Sequence, residues 1–333
     1  MTDTQYTKDD TIFVQIASYR DPELQHTLQD LFKKAKRPEN IFVGICHQYD
    51  MKGDEDRHLF EVEFPRPEQI RVDEVDYRET GGMCWARNRS QKLWQSEKWS
   101  LRIDSHCRFK ESWDEELVNM IFQLRKNGEV IISQCLPSYD IKTQQKELCC
   151  SNRIACQNFI STFGIYKVFD YPPAPNLTLF TYGGFVFGLS KFVTESFVNP
   201  HLDNLDEVPF SITQWTKGVD IYSYHRPVIW HYWQSKEDVE TEVGKQRKGF
   251  KVTKTKAISI QNDLLQIVKS NEEEILKLNQ EYHIGNKRTL WDYQRFSGID
   301  FRKKKLREHT KNGVFEEWRE ISKIQKIQII FRG

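Results

Sequence analysis

Apolar positions recur along the first 135 residues in two rhythms. Runs of continuous or alternating apolar residues take turns with segments in which apolar residues return every three or four positions. Thr11-Ile12-Phe13-Val14-Gln15-Ile16-Ala17 reads as a buried strand. In the turn that follows, Asp21 has the chemistry of a helix N-cap and Pro22 that of a first helical residue. Leu24, Leu28, Leu31, Phe32 and Ala35 then form one helical stripe that stops near Pro38. Strands are predicted from Asn40 to His47 and near Ile70 to Tyr77, and a helix from about Gly82 to Gln95. Trp99-Ser100-Leu101-Arg102-Ile103 alternates apolar and polar residues, as a half-buried strand does. Ser112-Trp113-Asp114-Glu115 has the pattern of a capping box, opening a helix that ends at Asn127-Gly128 and precedes a strand from Glu129 to Cys135.

This alternation implies an α/β architecture with a largely parallel sheet. Beyond residue 135 the regularity fails. Residues 137–176 read as long loops, Asn176 to Leu189 as a strand interrupted by Gly183-Gly184, and Pro209 to Trp215 as a short helix ended by Gly218. A strand from Asp220 to His231 follows. Residues 235–256 are charged and poor in apolar positions, the composition of a solvated loop or of a lid ordered by substrate. Ala257 to Tyr282 has amphipathic helical spacing, and a shorter helix is expected at Arg288 to Arg295. The tail joins Arg302-Lys303-Lys304-Lys305-Leu306-Arg307 to an apolar and basic segment, Trp318 to Phe331, suited to an anionic lipid surface or to its own domain.

Composition narrows the classes. The chain has 333 residues with 38% hydrophobic and 13% aromatic positions, enough for a substantial core and against disorder. Forty-nine basic and 48 acidic residues nearly cancel, which argues against a dedicated nucleic-acid binder. No apolar run approaches the length of a membrane span, and Met1 to Gln5 lacks the features of a signal peptide. Seven cysteines without zinc spacing, including Cys149, Cys150 and Cys156, read as packing residues in a reducing, cytoplasmic setting.

The candidate chemistry lies at Ile103-Asp104-Ser105-His106-Cys107-Arg108. Side chains two apart on an extended segment share a side, so Asp104 and His106 aim together just past a strand end, where open α/β sheets bind ligands. Arg226-Pro227-Val228-Ile229-Trp230-His231-Tyr232-Trp233 reads as a second short strand ending in a histidine. His231 is either a third ligand or a core histidine with a satisfied hydrogen bond. One carboxylate and two imidazoles suit a divalent cation, more Mn2+-like than Mg2+-like, holding a diphosphate.

Ile16-Ala17-Ser18-Tyr19-Arg20-Asp21-Pro22-Glu23-Leu24, Cys84-Trp85-Ala86-Arg87, Ile103 to Phe109 and Arg288-Thr289-Leu290 together resemble the cytosolic polypeptide N-acetylglucosaminyltransferases. The best-known members modify hydroxyproline, and the family has bacterial relatives. That family is in turn similar to the mucin-type polypeptide GalNAc-transferases, which share the Asp-x-His motif and a later histidine ligand. The resemblance spans roughly residues 11–300. It implies a GT-A glycosyltransferase fold, a Rossmann-like mixed central sheet flanked by helices. Residues 1–255 would be the catalytic domain, with a nucleotide-sugar half at about 11–135 and an acceptor half at about 136–235. Residues 256–333 would be a helical, basic extension.

The resemblance also implies roles. Asp104, His106 and His231 would bind Mn2+, with Mg2+ as the alternative, and the cation would bridge the phosphates of a UDP-sugar. Ala17, Ser18, Tyr19 and Arg20 would line the uridine pocket, with Ser105 beside them. Arg87 would contact the donor, or else form a surface salt bridge. Gly183 and Gly184 would let backbone approach the sugar, or mark a bulge. Asp206 and Glu207 would orient sugar or acceptor hydroxyls, or serve as favourable charges at a helix N-terminus. Here the chain departs from the family, whose Gly-Glu-Glu-like run is Leu205-Asp206-Glu207. The expected activity is metal-dependent transfer of N-acetylglucosamine, or a related hexosamine, from UDP-GlcNAc or UDP-GalNAc to a protein or glycan hydroxyl. The linkage would be α, made by a retaining front-face route. The competing classes are a non-catalytic sugar-binding protein on the same shell and a metal-dependent nucleotidyltransferase or phosphohydrolase.

Overall fold

Continuous apolar runs bounded by turns become the inner strands of one sheet. In chain order the elements begin with β1 (Ile12–Tyr19), α1 (Leu24–Lys34), β2 (Ile41–Tyr49), β3 (Ile70–Asp76), α2 (Met83–Gln91) and β4 (Trp99–Asp104). They continue with β5 (Cys107–Phe109), α3 (Trp113–Leu124), β6 (Glu129–Ser133), β7 (Cys150–Asn158), β8 (Thr162–Val168), β9 (Asn176–Leu177), β10 (Phe185–Leu189) and α4 (Ser190–Val193). The last are α5 (Glu207–Thr216), β11 (Val219–Ser223), β12 (Ile229–His231), α6 (Leu290–Ser297), β13 (Ile299–Asp300) and β14 (Lys305–Leu306). The structure is a computed structural model that describes residues 6–53, 56, 64–148, 150–158, 162–168, 174–195, 198, 200, 207–233, 285–300, 303, 305–308 and 310. Among these no helix is long and apolar enough to cross a membrane.

The central sheet has eight strands in the order β3-β2-β1-β4-β10-β6-β11-β9. Strands β3, β2, β1 and β4 run parallel to one another, β10 runs antiparallel between β4 and β6, and β11 is parallel to β6. The mixed sheet of the expected architecture is therefore present. Strand alternation sorts side chains into two layers. Ile12, Val14 and Ile16 of β1, Leu101 and Ile103 of β4, and Phe185 and Phe187 of β10 pack with Leu24, Leu28, Trp113 and Leu117 of α1 and α3. On the other face Ile131, Val186, Val219 and Ile221 pack with Phe192, Val193 and Phe210. Each fully buried aliphatic or Phe side chain in these layers contributes roughly 1.5–3 kcal/mol.

Several expectations change. β4 is buried on both faces instead of half-buried. Its polar positions face internal partners: Ser100 Oγ shares hydrogen bonds with Ser190 Oγ at 2.8 Å and Thr194 Oγ1 at 2.6 Å, and the Arg102 guanidinium lies over the Phe210 ring at 4.6 Å. Helix α1 begins at Leu24, after a turn in which Asp21 Oδ1 accepts from the Glu23 N–H at 3.0 Å. No capping box forms at Ser112, whose φ is +58° and whose side chain makes no cap. Asp114 instead accepts from the backbone N–H groups of Lys36 at 2.7 Å and Arg37 at 2.9 Å, pinning the end of α1. The loops expected at 137–176 contain the antiparallel ribbon β7–β8, with register shifts at Ser151/Arg153 and Cys156/Asn158. Asn176 to Leu189 is two strands, β9 on β11 and β10 inside the sheet. Asp220 to His231 is also two strands: the chain leaves the central sheet after Ser223, and β12 pairs with β5 in a separate two-stranded sheet. Pro227 lies in that break, where a residue without an N–H suits a strand interruption.

The capping box that does form is at Thr289, which accepts from Asp292 N while Asp292 accepts from Thr289 N. It opens α6, whose Tyr293 and Phe296 pack on Trp215 of α5 with ring centroids 5.4 Å apart in each pair. Part of the basic run folds back as the β13–β14 hairpin. Cys46, Cys84, Cys107 and Cys135 are buried and form no disulfide. Asp206, the segment 235–256, the expected helix at 257–282 and the tail at 318–331 lie outside the described residues, as do Cys149 and the side chains of Cys150 and Cys156.

Candidate metal and nucleotide site

Parallel pairing brings the carboxyl ends of β1 and β4 together. Ala17 stands opposite Asp104. The chain bends at Ser105-His106 and continues as β5, whose register with β12 sets Cys107 against His231. Backbone bonds hold that crossing: Tyr232 N–H donates to His106 O at 2.9 Å, and His231 N–H donates to Pro137 O at 2.9 Å. The outcome is convergence of Asp104, His106 and His231, with one ligand atom from each lying within 4.8 Å of the others. His231 Nε2 is 3.1 Å from Asp104 Oδ2 and 3.0 Å from His106 Nε2.

The electrostatics suit a cation. Burial raises the Asp104 carboxyl, but the His231 hydrogen bond and the Arg87 charge outweigh it and hold the group well below the usual carboxylate range. His231 is lowered from the ordinary histidine value, chiefly by burial, with Asp104 partly opposing. An ionised carboxylate and a neutral imidazole are the ligand forms a divalent metal takes. Two imidazole nitrogens facing each other at 3.0 Å need either an N–H hydrogen or a cation between them, because two bare lone pairs would repel. His231 Nδ1 is buried and has no hydrogen-bond partner among the described residues. The donor set thus fits a nitrogen-tolerant divalent ion such as Mn2+.

Arg87, on α2, is 4% exposed and places Nη2 3.4 Å from Asp104 Oδ1. Gly183 and Gly184 form the turn before β10 and press against these two side chains. A Cβ on Gly183 would come 2.5 Å from Arg87 Nη1, and one on Gly184 would collide with the Asp104 carboxylate. The glycines are there for space, which a bulge in a strand would not require. Tyr182 adjoins them. Its hydroxyl is pushed up by burial and then by the charges of Cys135, Asp104 and Glu207, so Glu207 at the start of α5 lies within electrostatic reach of the same floor.

The segment after β1 takes a distinct course. Ala17 and Tyr19 are partly exposed, and Ser18 is buried with its Oγ lacking a hydrogen-bond partner among the described residues. Tyr19 meets the Tyr77 ring edge-on at 6.2 Å. Arg20 has φ +46°, is 2% exposed, and donates from Nε and Nη2 to Asp56 at 2.9–3.1 Å while lying 4.3 Å over Tyr77. Ser18 pairs in register with His47, whose imidazole burial lowers to about 4, with Asp56 and Asp21 partly opposing. A histidine depressed in the folded state takes up its proton on unfolding first. Stability is therefore full above the ordinary value near 6.5 and falls as pH drops toward 4. Chemical denaturation at stepped pH is expected to show that decline, and His47→Gln to flatten it over the same window.

Sequence reasoning missed three contributors. Asp21 accepts from His106 Nδ1 at 2.6 Å and from Ser105 Oγ at 2.5 Å, so Ser105 turns toward Asp21. Asp56 engages Arg20. Trp233, 41% exposed, lies with its ring 4.4 Å from His231 and 6.1 Å from Tyr182. The position of Trp233 two residues after His231 was the available signal for it; Asp21 and Asp56 carry none beyond turn chemistry.

A family model described as Glycosyltransferase (GlcNAc) matches residues 11–62 and 50–303. No curated protein sequence matches the chain. Among solved structures, the chain is similar to GalNAc-T7, crystallised with UDP, GalNAc and Mn2+, at a TM-score of 0.58 and 13% identity over 87% of this chain. It spans 57% of the length of that chain. Residues 1–349 of S. aureus TarS match at a TM-score of 0.45 and 13% identity, over 81% of this chain and 76% of that one. The mixed sheet and the likeness to GalNAc-T7 show a GT-A fold.

Proposed function

The chain belongs to the Glycosyltransferase (GlcNAc) family, and from that membership we propose that it moves N-acetylglucosamine, or a closely related hexosamine, from a UDP-sugar to a hydroxyl acceptor. The observation that carries this reading is the meeting of Asp104, His106 and His231 at the carboxyl ends of parallel strands. GalNAc-T7, similar in fold, was crystallised with UDP, GalNAc and Mn2+, which supports the choice of ion and nucleotide. Asp104, His106 and His231 would hold Mn2+, which would supply positive charge against the diphosphate of the leaving UDP.

The remaining work falls to the chain's own side chains. Arg87 presents a second positive charge beside Asp104 and stabilises the diphosphate. Ala17, Ser18 and Tyr19 line the uridine, with Tyr19 stacking on the base and Arg20 holding the loop through Asp56. Gly183 and Gly184 give the sugar access to backbone. Glu207, with Asp206, orients sugar or acceptor hydroxyls. Asp104 is engaged by Arg87 and His231, and we favour a front-face, retaining transfer in which the leaving phosphate deprotonates the acceptor. The acceptor is a protein or glycan hydroxyl. Cys46, Cys84, Cys107 and Cys135 are buried free thiols, the form that a reducing, cytoplasmic setting maintains.

The test is incubation with UDP-GlcNAc or UDP-GalNAc, Mn2+ and a panel of hydroxyproline peptides and glycans, read by mass spectrometry and UDP release. Transfer with UDP as product is expected, falling at least about 100-fold on chelation. With Mn2+ present throughout, UDP at 100 times its dissociation constant should stabilise the fold by about 2.7 kcal/mol over Mn2+ alone. Undiminished turnover in chelator, or release of pyrophosphate in place of UDP, would overturn the reading.

A further inference from the structure

Asp21 sits on the segment after β1, yet its carboxylate belongs to the metal loop. It is 4% exposed. Oδ1 accepts from the Glu23 backbone N–H at 3.0 Å, and Oδ2 accepts from Ser105 Oγ at 2.5 Å and from His106 Nδ1 at 2.6 Å. An ionised carboxylate can only accept, so the bond to His106 requires the proton on Nδ1. The lone pair of the neutral ring is then on Nε2, the atom that faces His231 Nε2 at 3.0 Å. With the proton on the other nitrogen, N–H would point into the triad and no ligand would be offered there.

We propose that Asp21 is a positioning residue: it fixes the tautomer and ring orientation of His106 and thereby makes the Asp104–His106–His231 triad competent for a divalent cation. The inference deepens the functional reading above and rests on it for the identity of the ion. Because Asp21 lies one residue beyond Arg20 and caps the turn into α1, it also ties the nucleotide segment to the metal loop. Loss of order in one segment is then felt in the other. Carboxylate–histidine–metal relays of this kind typically set metal affinity by 10- to 100-fold.

Asp21→Asn separates this role from a purely structural one. The amide keeps the size, and its oxygen can keep the bond from the Glu23 N–H. That leaves the NH2 facing Ser105 and His106 Nδ1. A donor there draws the ring proton to Nε2. Three measurements on the full chain decide the matter: the ring tautomer of His106 by 15N NMR in chelator, the Mn2+ dissociation constant by calorimetry, and the thermal midpoint in chelator. The expected result is a switch of His106 to the Nε2–H form and a 10- to 100-fold weaker Mn2+ affinity. The midpoint should stay at the wild-type value. Asp21→Ala, which removes the acceptor, should weaken Mn2+ binding as well and lower the midpoint through the lost turn bond. Wild-type tautomer and affinity in Asp21→Asn would overturn the proposal, and so would an affinity loss matched by an equal loss of stability in chelator. Failure of the wild type itself to bind Mn2+ would overturn the metal reading instead. The tautomer measurement in chelator would still decide the role of Asp21.

Discussion

Asp104→Asn is expected to lower sugar transfer by about 10²–10³-fold, the range seen when one charge-stabilising group is removed from an active site, with the fold intact. The substitution keeps the size of the side chain and removes its charge. That charge faces three groups: His231 Nε2 at 3.1 Å, Arg87 Nη2 at 3.4 Å and His106 across the triad. Its loss takes away the one anionic ligand of the triad and removes the ion pair that Arg87, 4% exposed, makes with Asp104. Turnover at saturating donor should drop, and the Mn2+ concentration for half-maximal activity should rise. The thermal midpoint should fall as well, because a buried guanidinium loses the charge opposite it, so turnover is compared per folded molecule at a temperature where the variant stays folded. Activity and metal dependence equal to wild type would remove Asp104 from the reaction.

The strands nearest the site were legible because both sheet faces are covered. In such strands nearly every position is buried, and Ile12 to Ala17 or Ile41 to Cys46 can then only be near-continuous apolar runs. The same rule misled at β4, where Ser100 and Arg102 look solvent-facing. Alternation reports polarity, and polarity means exposure only when no internal partner exists. Here Ser190, Thr194 and the Phe210 ring supply those partners. The β7–β8 ribbon was invisible for a different reason: its pairing, with Ile154 opposite Ile165 and Ala155 opposite Gly164, lies outside the central sheet and interrupts its own register twice. Local pattern carries no trace of such a partner.

For the site, the ligand types were legible and their meeting was not. Asp104 and His106 share a strand end, so spacing alone brings them close. His231 is 125 residues from His106 and reaches it only because β12 leaves the central sheet to pair with β5. A single continuous strand from Asp220 to His231 would have carried the histidine elsewhere. Pro227 marks the break, and it is the residue from which the split is readable in retrospect. Asp21 shows the opposite limit. Its cap chemistry was apparent and its backbone bond to Glu23 formed, but one carboxylate oxygen caps the turn while the other serves the histidine.

Gly184→Ala should cost about 10²-fold in turnover, the scale of a misplacement near 1 Å at a reacting centre, without unfolding the protein. The added methyl would meet the Asp104 carboxylate and come 2.8 Å from Tyr182 Cε1. The backbone has no easy retreat, because Phe185 is paired with Ile103 and donates to Tyr182 O at 3.0 Å. The softest response is rotation of the Asp104 side chain away from His231, which opens the triad. Gly188→Ala, four residues further on and inside β10, provides the contrast. Its methyl would meet Ile131 Cγ2 at 2.8 Å inside the apolar layer, far from any ligand, and overpacking there costs about 1–3 kcal/mol of stability. The pair should therefore separate cleanly: Gly184→Ala loses turnover and Mn2+ affinity at a near-normal thermal midpoint, whereas Gly188→Ala loses midpoint and keeps turnover per folded molecule. Equal behaviour of the two in both measurements would show that the glycine turn serves packing alone, and that the tight fit of Gly184 to Asp104 has no part in the chemistry.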